Sequence, residues 1–228
     1  MLQIQNISVK YKDKNVLQNL SLNLEKGQIH GLIGLNGAGK TTLLHSLYGL
    51  VKAIEGQILW EEKPLNYRNI AYLESHNFFY HYLTGQEYLN LFQASNQNFA
   101  VQEWNRIFDL PLSQMIENYS TGMKKKLALM AILSLDRPII VLDEPSNGLD
   151  LEGNQLLKQI LLRLKEKGKT ILITSHLLEI LTTICDQIHH LKQGKIKFSY
   201  QKDQFKDLEQ HIFAEENQEK MIKLDSLI

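Results

Sequence analysis

The stretch IHGLIGLNGAGKTTLLHSLYGL, Ile29–Leu50, decides how the rest of the chain is read. Ile29–Ile33 is a short apolar run with strand character, and Thr41–Leu50 reads as a helix. Between them GLNGAGKT, Gly34–Thr41, fits the phosphate-loop pattern G-x-x-x-x-G-K-[ST] in its required strand–loop–helix setting. Glycines let the backbone curl so that successive N–H groups point inward at phosphate oxygens. The helix N-terminus adds its dipole. Lys40 brings a positive charge for the β- and γ-phosphates, Thr41 a hydroxyl ligand for Mg²⁺, and Thr42 a second hydroxyl within reach of phosphate. Gly34, Asn36, Gly37, Ala38, Gly39, Lys40, Thr41 and Thr42 are therefore the candidate nucleotide-binding residues of this loop.

Working outward, Leu20, Leu22 and Leu24 alternate with polar residues, and Gly56–Trp60 resumes strand character. Ile139–Leu142 and Thr170–Thr174 are continuous apolar or β-branched runs, as expected of strands buried on both faces of a parallel sheet. Leu156, Leu157, Ile160, Leu161 and Leu164 mark an amphipathic helix between them, with Gly168 placed to end it. Gln187–Phe198 reads as a hairpin turning at Gln193-Gly194. Strands separated by helices predict an α/β fold with a parallel sheet. Residues 78–135 differ in texture. Thr84 and Glu87 have capping-box spacing ahead of a helix reaching about Gln93. Val101, Trp104, Ile107 and Phe108 lie at helical spacing, and Ser120 precedes a long run with Leu127, Met130, Ala131 and Ser134 on one stripe. This segment is predicted to be a mostly helical insert. The run IIVLDE places Asp143 and Glu144 at the end of a parallel strand, facing the ligand crevice of such a sheet. An acid there orients a metal or its waters, and the next one can polarise an attacking water.

Composition bounds the alternatives. The 228 residues suit one domain with an inserted subdomain, or two small ones. Lys plus Arg and Asp plus Glu are both 25, so net charge is zero, which argues against a basic nucleic-acid binder. One cysteine, Cys185, excludes an intrachain disulfide framework and suits a reducing compartment. The richest apolar run, Leu127–Leu135, is too short to span a bilayer, and the N-terminus has no apolar signal core. The chain is expected to stay in the cytoplasm, with any membrane crossing left to another chain.

With these motifs in hand, the sequence resembles the ATP-binding cassette family, the nucleotide-binding subunits of ABC transporters, over residues 1–200. Walker A is Gly34–Thr41 and Walker B is Ile139–Glu144; STGMKKKL, Ser120–Leu127, is similar to the signature that lies between them. Ser146–Asp150 is similar to the D-loop, Ser175-His176 to the switch histidine, and Tyr11 falls where the family stacks adenine on an aromatic ring. The resemblance implies a P-loop NTPase fold: a parallel-sheet core, a small antiparallel β subdomain and an inserted α-helical subdomain, with 201–228 a C-terminal tail. It also implies two cassettes paired head to tail, identical or not, around two ATP molecules with Mg²⁺. Each site would be completed by Ser120 and Gly122 of the opposite subunit. Asp143 with Thr41 would serve the metal, Glu144 would polarise water, and His176 would sense the γ-phosphate. A separate membrane permease, held at the inner face of the membrane, would be the transport partner. The YSTGMKKKL and EPSNGLD forms resemble exporters of drugs, peptides or ions more than nutrient importers. Thr121 departs from the usual signature glycine. In the place of the Q-loop, Ile70–Gly85 has no glutamine, and Glu74 or Ser75 stands there.

Smaller signals complete the reading. Lys124-Lys125-Lys126 is expected to be a solvated helix face, and Cys185 inert packing on a short helix. His189-His190 alternate faces of a strand without evident partners. Phe78, Phe79, Tyr80 and Tyr82 are either core of the insert or a docking surface for a partner helix. Two other functions compete: a soluble cassette acting on ribosomes or DNA, and a degenerate cassette that grips ATP without hydrolysis.

Overall fold

The computed structural model describes residues 1–93, 96–175, 177–208 and 210–211. The chain opens with a hairpin, β1 (Leu2–Tyr11) and β2 (Lys14–Leu24), followed by β3 (Ile29–Ile33) and α1 (Lys40–Tyr48). Strands β4 (Glu55–Trp60), β5 (Lys63–Pro64) and β6 (Ile70–Leu73) come next. Helices α2 (Gly85–Gln93), α3 (Val101–Phe108) and α4 (Thr121–Ser134) lead to β7 (Ile139–Leu142). The chain then alternates through α5 (Leu151–Glu166), β8 (Thr170–Thr174) and α6 (Leu178–Ile184) to the hairpin of β9 (Gln187–Lys192) and β10 (Lys195–Gln201).

These strands form two sheets. A four-stranded antiparallel sheet has the order β2-β1-β4-β5, and a six-stranded sheet the order β10-β9-β3-β8-β7-β6. In the larger sheet all pairings are parallel except β9 with β10. Its central strands have two buried faces, and the period of two divides their side chains between two cores. Ile140 and Leu142 of β7, and Ile171 and Ile173 of β8, join the core under α2–α6. Ile139, Val141 and Leu172 join the core shared with α1 and the antiparallel sheet. The expected α/β architecture, with its small β subdomain and helical segment, is thus what the chain forms.

Local rules set the helix ends. Glu87 N–H donates to Thr84 Oγ1 at 3.2 Å while Thr84 N–H donates to a Glu87 carboxylate oxygen at 2.8 Å, a reciprocal capping box. Ser120 caps α4 by accepting from Met123 N–H at 3.2 Å. The single apolar stripe expected on α4 is a correction: Leu127 through Ser134 are all buried, because the helix runs through the core and packs on β6 as well as on α2. Phe205 and Leu208 pack in the larger core, so burial continues past residue 200.

Cys185 is packing, as expected, though just beyond α6 and not on it: it is fully buried, and burial pushes its thiol well above the usual range. One further expectation changes. His189 does have partners: its Nε2 lies 3.2 Å from His30 Nδ1, and its Nδ1 lies 2.8 Å from Ser199 Oγ. β3 is the parallel neighbour of β9, which brings together residues 159 positions apart.

Candidate functional site

The strand order puts the C-terminal ends of β3, β8 and β7 side by side. The glycine loop leaves β3 between β9 and the antiparallel sheet. A Cβ on Gly34 would lie 2.2 Å from the Leu191 carbonyl oxygen, so only glycine lets the loop pass β9 this closely. Gly39 has φ +110°, and a Cβ there would sit 2.8 Å from Leu17 Cδ2. Ala38 is buried, while Asn36 and Gly37 are exposed on the crown of the loop. Gly39 offers no side chain to cap α1 and the first turn carries no acid, so the positive helix end remains open to an anion. Thr41 is exposed there and Thr42 half-buried. Lys40 folds back over the loop, its Nζ donating to the Gly34 carbonyl at 2.6 Å. Burial lowers its pKa, and the Glu144 and Asp143 carboxylates oppose that shift.

Asp143 and Glu144 follow β7 and are both buried. Asp143 N–H donates to the Leu73 carbonyl at 2.8 Å, extending the ladder with β6 and fixing the side chain's direction. Thr41 Oγ1 donates to Asp143 Oδ2 at 3.2 Å, which joins the two motifs across 102 residues. Thr174, at the end of β8 between them, donates to Asp143 Oδ1 at 2.7 Å and accepts from Glu144 N–H at 2.9 Å. Glu144 has φ +49°, a left-handed conformation that costs a non-glycine residue roughly 1–2 kcal/mol. The sequence signal for Thr174 is a hydroxyl ending the strand next to the acids; it was legible as strand and not as site. A hydroxyl and a carboxylate in contact are hard oxygen donors, the chemistry Mg²⁺ selects, so Thr41 and Asp143 fit that ion.

Around this centre the other expected residues divide. The β1–β2 hairpin pairs Tyr11 with Lys14, and Val16 and Leu17 just beyond pack against Gly39, so Tyr11 stands on the hairpin that flanks the loop, 45 % exposed. Ser120 is exposed at the start of α4. A Cβ on Gly122 would lie 3.0 Å from the Gly148 carbonyl oxygen, and one on Gly148 2.8 Å from Thr121 Cγ2. The side chain that replaces the usual signature glycine thus packs on the Ser146–Asp150 loop of its own chain. Lys125 overturns the expectation of a solvated face. It is buried, and its Nζ donates to the Glu74 and Ser75 carbonyls at 3.3 and 2.9 Å. His176 lies outside the described residues.

Comparison with known proteins shows the family. The family model described as ABC transporter matches residues 17–147, more than half of the chain. The chain is 37 % identical over 194 residues to an uncharacterized ABC transporter ATP-binding protein, all4389 of Nostoc, covering 79 % of this chain and 58 % of that protein. It is 30 % identical over 217 residues to the lantibiotic transport ATP-binding protein SrtF of Streptococcus pyogenes, covering 92 % of this chain and 95 % of that one. A solved structure of an ATP binding subunit of an ABC transporter superposes with a TM-score of 0.83 at 29 % identity, over 88 % of this chain and 90 % of that one. The chain thus spans little more than half the length of the first of these relatives.

Proposed function

The chain belongs to the ABC transporter family of ATP-binding proteins, and from that premise we propose that it hydrolyses ATP to drive transport through a separate membrane permease. The contact between Thr41 and Asp143 carries this reading, because it unites the phosphate loop with the two acids. The loop amides and Lys40 grip the β- and γ-phosphates. Thr41 and Asp143 would hold Mg²⁺, which neutralises phosphate charge when bound. Glu144 accepts a hydrogen bond from a water in line with the γ-phosphate and takes its proton as the bond to ADP breaks. Tyr11 stacks the adenine. His176 contacts the γ-phosphate. Ser120 and Gly122 face the ATP of a second cassette, and the amides that follow the cap provide its anion site.

No helix among the described residues is long and apolar enough to cross a membrane, which is consistent with a permease on another chain. Phe78, Tyr80 and Tyr82 are 69, 59 and 79 % exposed and offer that partner an aromatic surface. The name of SrtF supports transport, and the signature and D-loop forms favour export.

The test is Glu144→Gln, which keeps shape and removes the carboxylate. Turnover should fall by about 10²–10³-fold while MgATP still binds, and ATP-bound dimers should accumulate on size exclusion. Lys40→Ala should instead lose nucleotide binding. Wild-type turnover in Glu144→Gln would sink the assignment; a wild-type chain that binds ATP without turnover would favour the gripping module.

A further inference from the structure

Lys125 is 5 % exposed, whereas Lys124 and Lys126 on either side are only partly buried. Its two hydrogen bonds go to backbone carbonyls, Glu74 and Ser75, in the loop that follows β6. A buried ammonium held by carbonyls alone is an expensive way to pack a helix on a loop, since an apolar side chain of similar volume avoids the desolvation. The acceptors explain why position matters. The preceding carbonyl, that of Leu73, accepts from Asp143 N–H at 2.8 Å. The Asp143 and Glu144 carboxylates also stand near enough to favour the charged form of Lys125 against its burial. Five residues earlier on the same polypeptide is Ser120, the exposed cap of α4. A short path therefore runs from the Walker B acids through Leu73, the Glu74–Ser75 carbonyls and the Lys125 ammonium to the start of α4.

We propose that Lys125 is a positioning residue for hydrolysis: its ammonium tethers the glutamine-free loop Glu74–Ser75 to α4, and so fixes the signature end of that helix to the acids of the same chain. The inference rests on the hydrolysis reading above. In this arrangement the helix that would cap a partner's ATP cannot shift without pulling on the strand that holds Asp143. The lysine thus links one composite site to the other.

The experiment is steady-state ATPase with ATP affinity on the full chain for Lys125→Met, Lys125→Arg and Glu144→Gln in parallel. Met keeps the stem and removes the donors; Arg keeps charge and donors. Lys125→Met should lose about 10-fold or more in kcat with KM and ATP affinity within about twofold, and Lys125→Arg should regain most of the loss. Equal loss in Lys125→Arg, or wild-type kcat in Lys125→Met, would overturn the proposal. If Lys125→Met does not fold, Lys125→Gln takes its place, its two amide N–H donors uncharged and on a stem one bond shorter: reduced kcat at unchanged KM supports the ammonium tether and wild-type kcat overturns it. Glu144→Gln keeps the two readings apart. If it is inactive while Lys125→Met turns over normally, only the tether is wrong; if it turns over as wild type, the hydrolysis reading has itself failed.

Discussion

The hydroxyl of Thr174 stands between two groups the chemistry needs in fixed relation, donating to Asp143 and accepting from the Glu144 amide. Glu144 reaches this place only through a left-handed backbone, and its N–H donates to that hydroxyl. Thr174→Val keeps volume and branching but removes the hydroxyl that donates to Asp143 and accepts from the Glu144 amide. It should cost about 1–3 kcal/mol in urea unfolding and lower kcat about 10-fold or more, with Thr174→Ser restoring both. Unchanged kcat in a folded Thr174→Val would mean that the strand ends alone set the acids. Residues of this kind mark the limit of the sequence. Gly34–Thr41 and Asp143-Glu144 are legible because local pattern dictates their chemistry. Thr174 and Lys125 act through partners 30 and 50 residues or more away, which no window along the chain contains.

At the scale of elements, the segment between β6 and α2 divides an alternative that the sequence left open for its aromatics. Phe79 packs against the larger core, its ring 5.0 Å from that of Tyr88 on α2, and Tyr88 in turn lies 5.1 Å from Phe92. Phe78 and Tyr80 pair edge to face on the outside, 5.3 Å apart. One position along the chain thus separates a ring packed on the core from an exposed one. Phe79→Ala should therefore destabilise the isolated chain by about 2–3 kcal/mol, as loss of a partly buried ring does, whereas Phe78→Ala should stay within about 0.5 kcal/mol. Urea midpoints measure both. A large loss in Phe78→Ala would make the outer ring structural and remove it from any docking surface. Helix limits in this region were legible to within a residue where a cap carries them, at Thr84 and Ser120. The surroundings of α4 were not, since burial on all sides comes from the elements around it and not from its own period.

At the scale of the whole molecule, a polar chain through two buried histidines ties the turn that leaves the antiparallel sheet to three strands of the larger sheet. The Glu25 carbonyl, just past β2, lies 3.2 Å from His30 Nε2; His30 Nδ1 meets His189 Nε2; and His189 Nδ1 meets Ser199 on β10. The two rings stack at 5.4 Å. One proton arrangement satisfies every link: His30 Nε2–H donates to the carbonyl, His189 Nε2–H donates to His30 Nδ1, and the Ser199 hydroxyl donates to His189 Nδ1. Both rings are neutral in it; one added proton can sit on His189 Nδ1 with the Ser199 hydroxyl turned to accept, but protonating both rings sets the facing N–H groups of His30 and His189 against each other. Burial lowers the pKa of His30 to about 4, against the weaker raising effects of the Glu25 carbonyl and Asp186. Burial, with His30 as a second cause, lowers that of His189 to about 3. The unfolded chain takes up both protons near the ordinary value of 6.5, so it binds more protons than the fold throughout the window from pH 6.5 down to about 4. Stability is therefore fully present above pH 6.5 and is lost as pH falls, by roughly 2 kcal/mol per histidine between pH 7 and pH 5. Replacing both rings by glutamine removes the titration. Urea unfolding at a series of pH values should show the wild type losing about 3–4 kcal/mol more than His30→Gln/His189→Gln over that range. Parallel curves for the two chains would mean that the pair titrates alike in both states, and that this link between the turn and the larger sheet is not acid-sensitive through these rings.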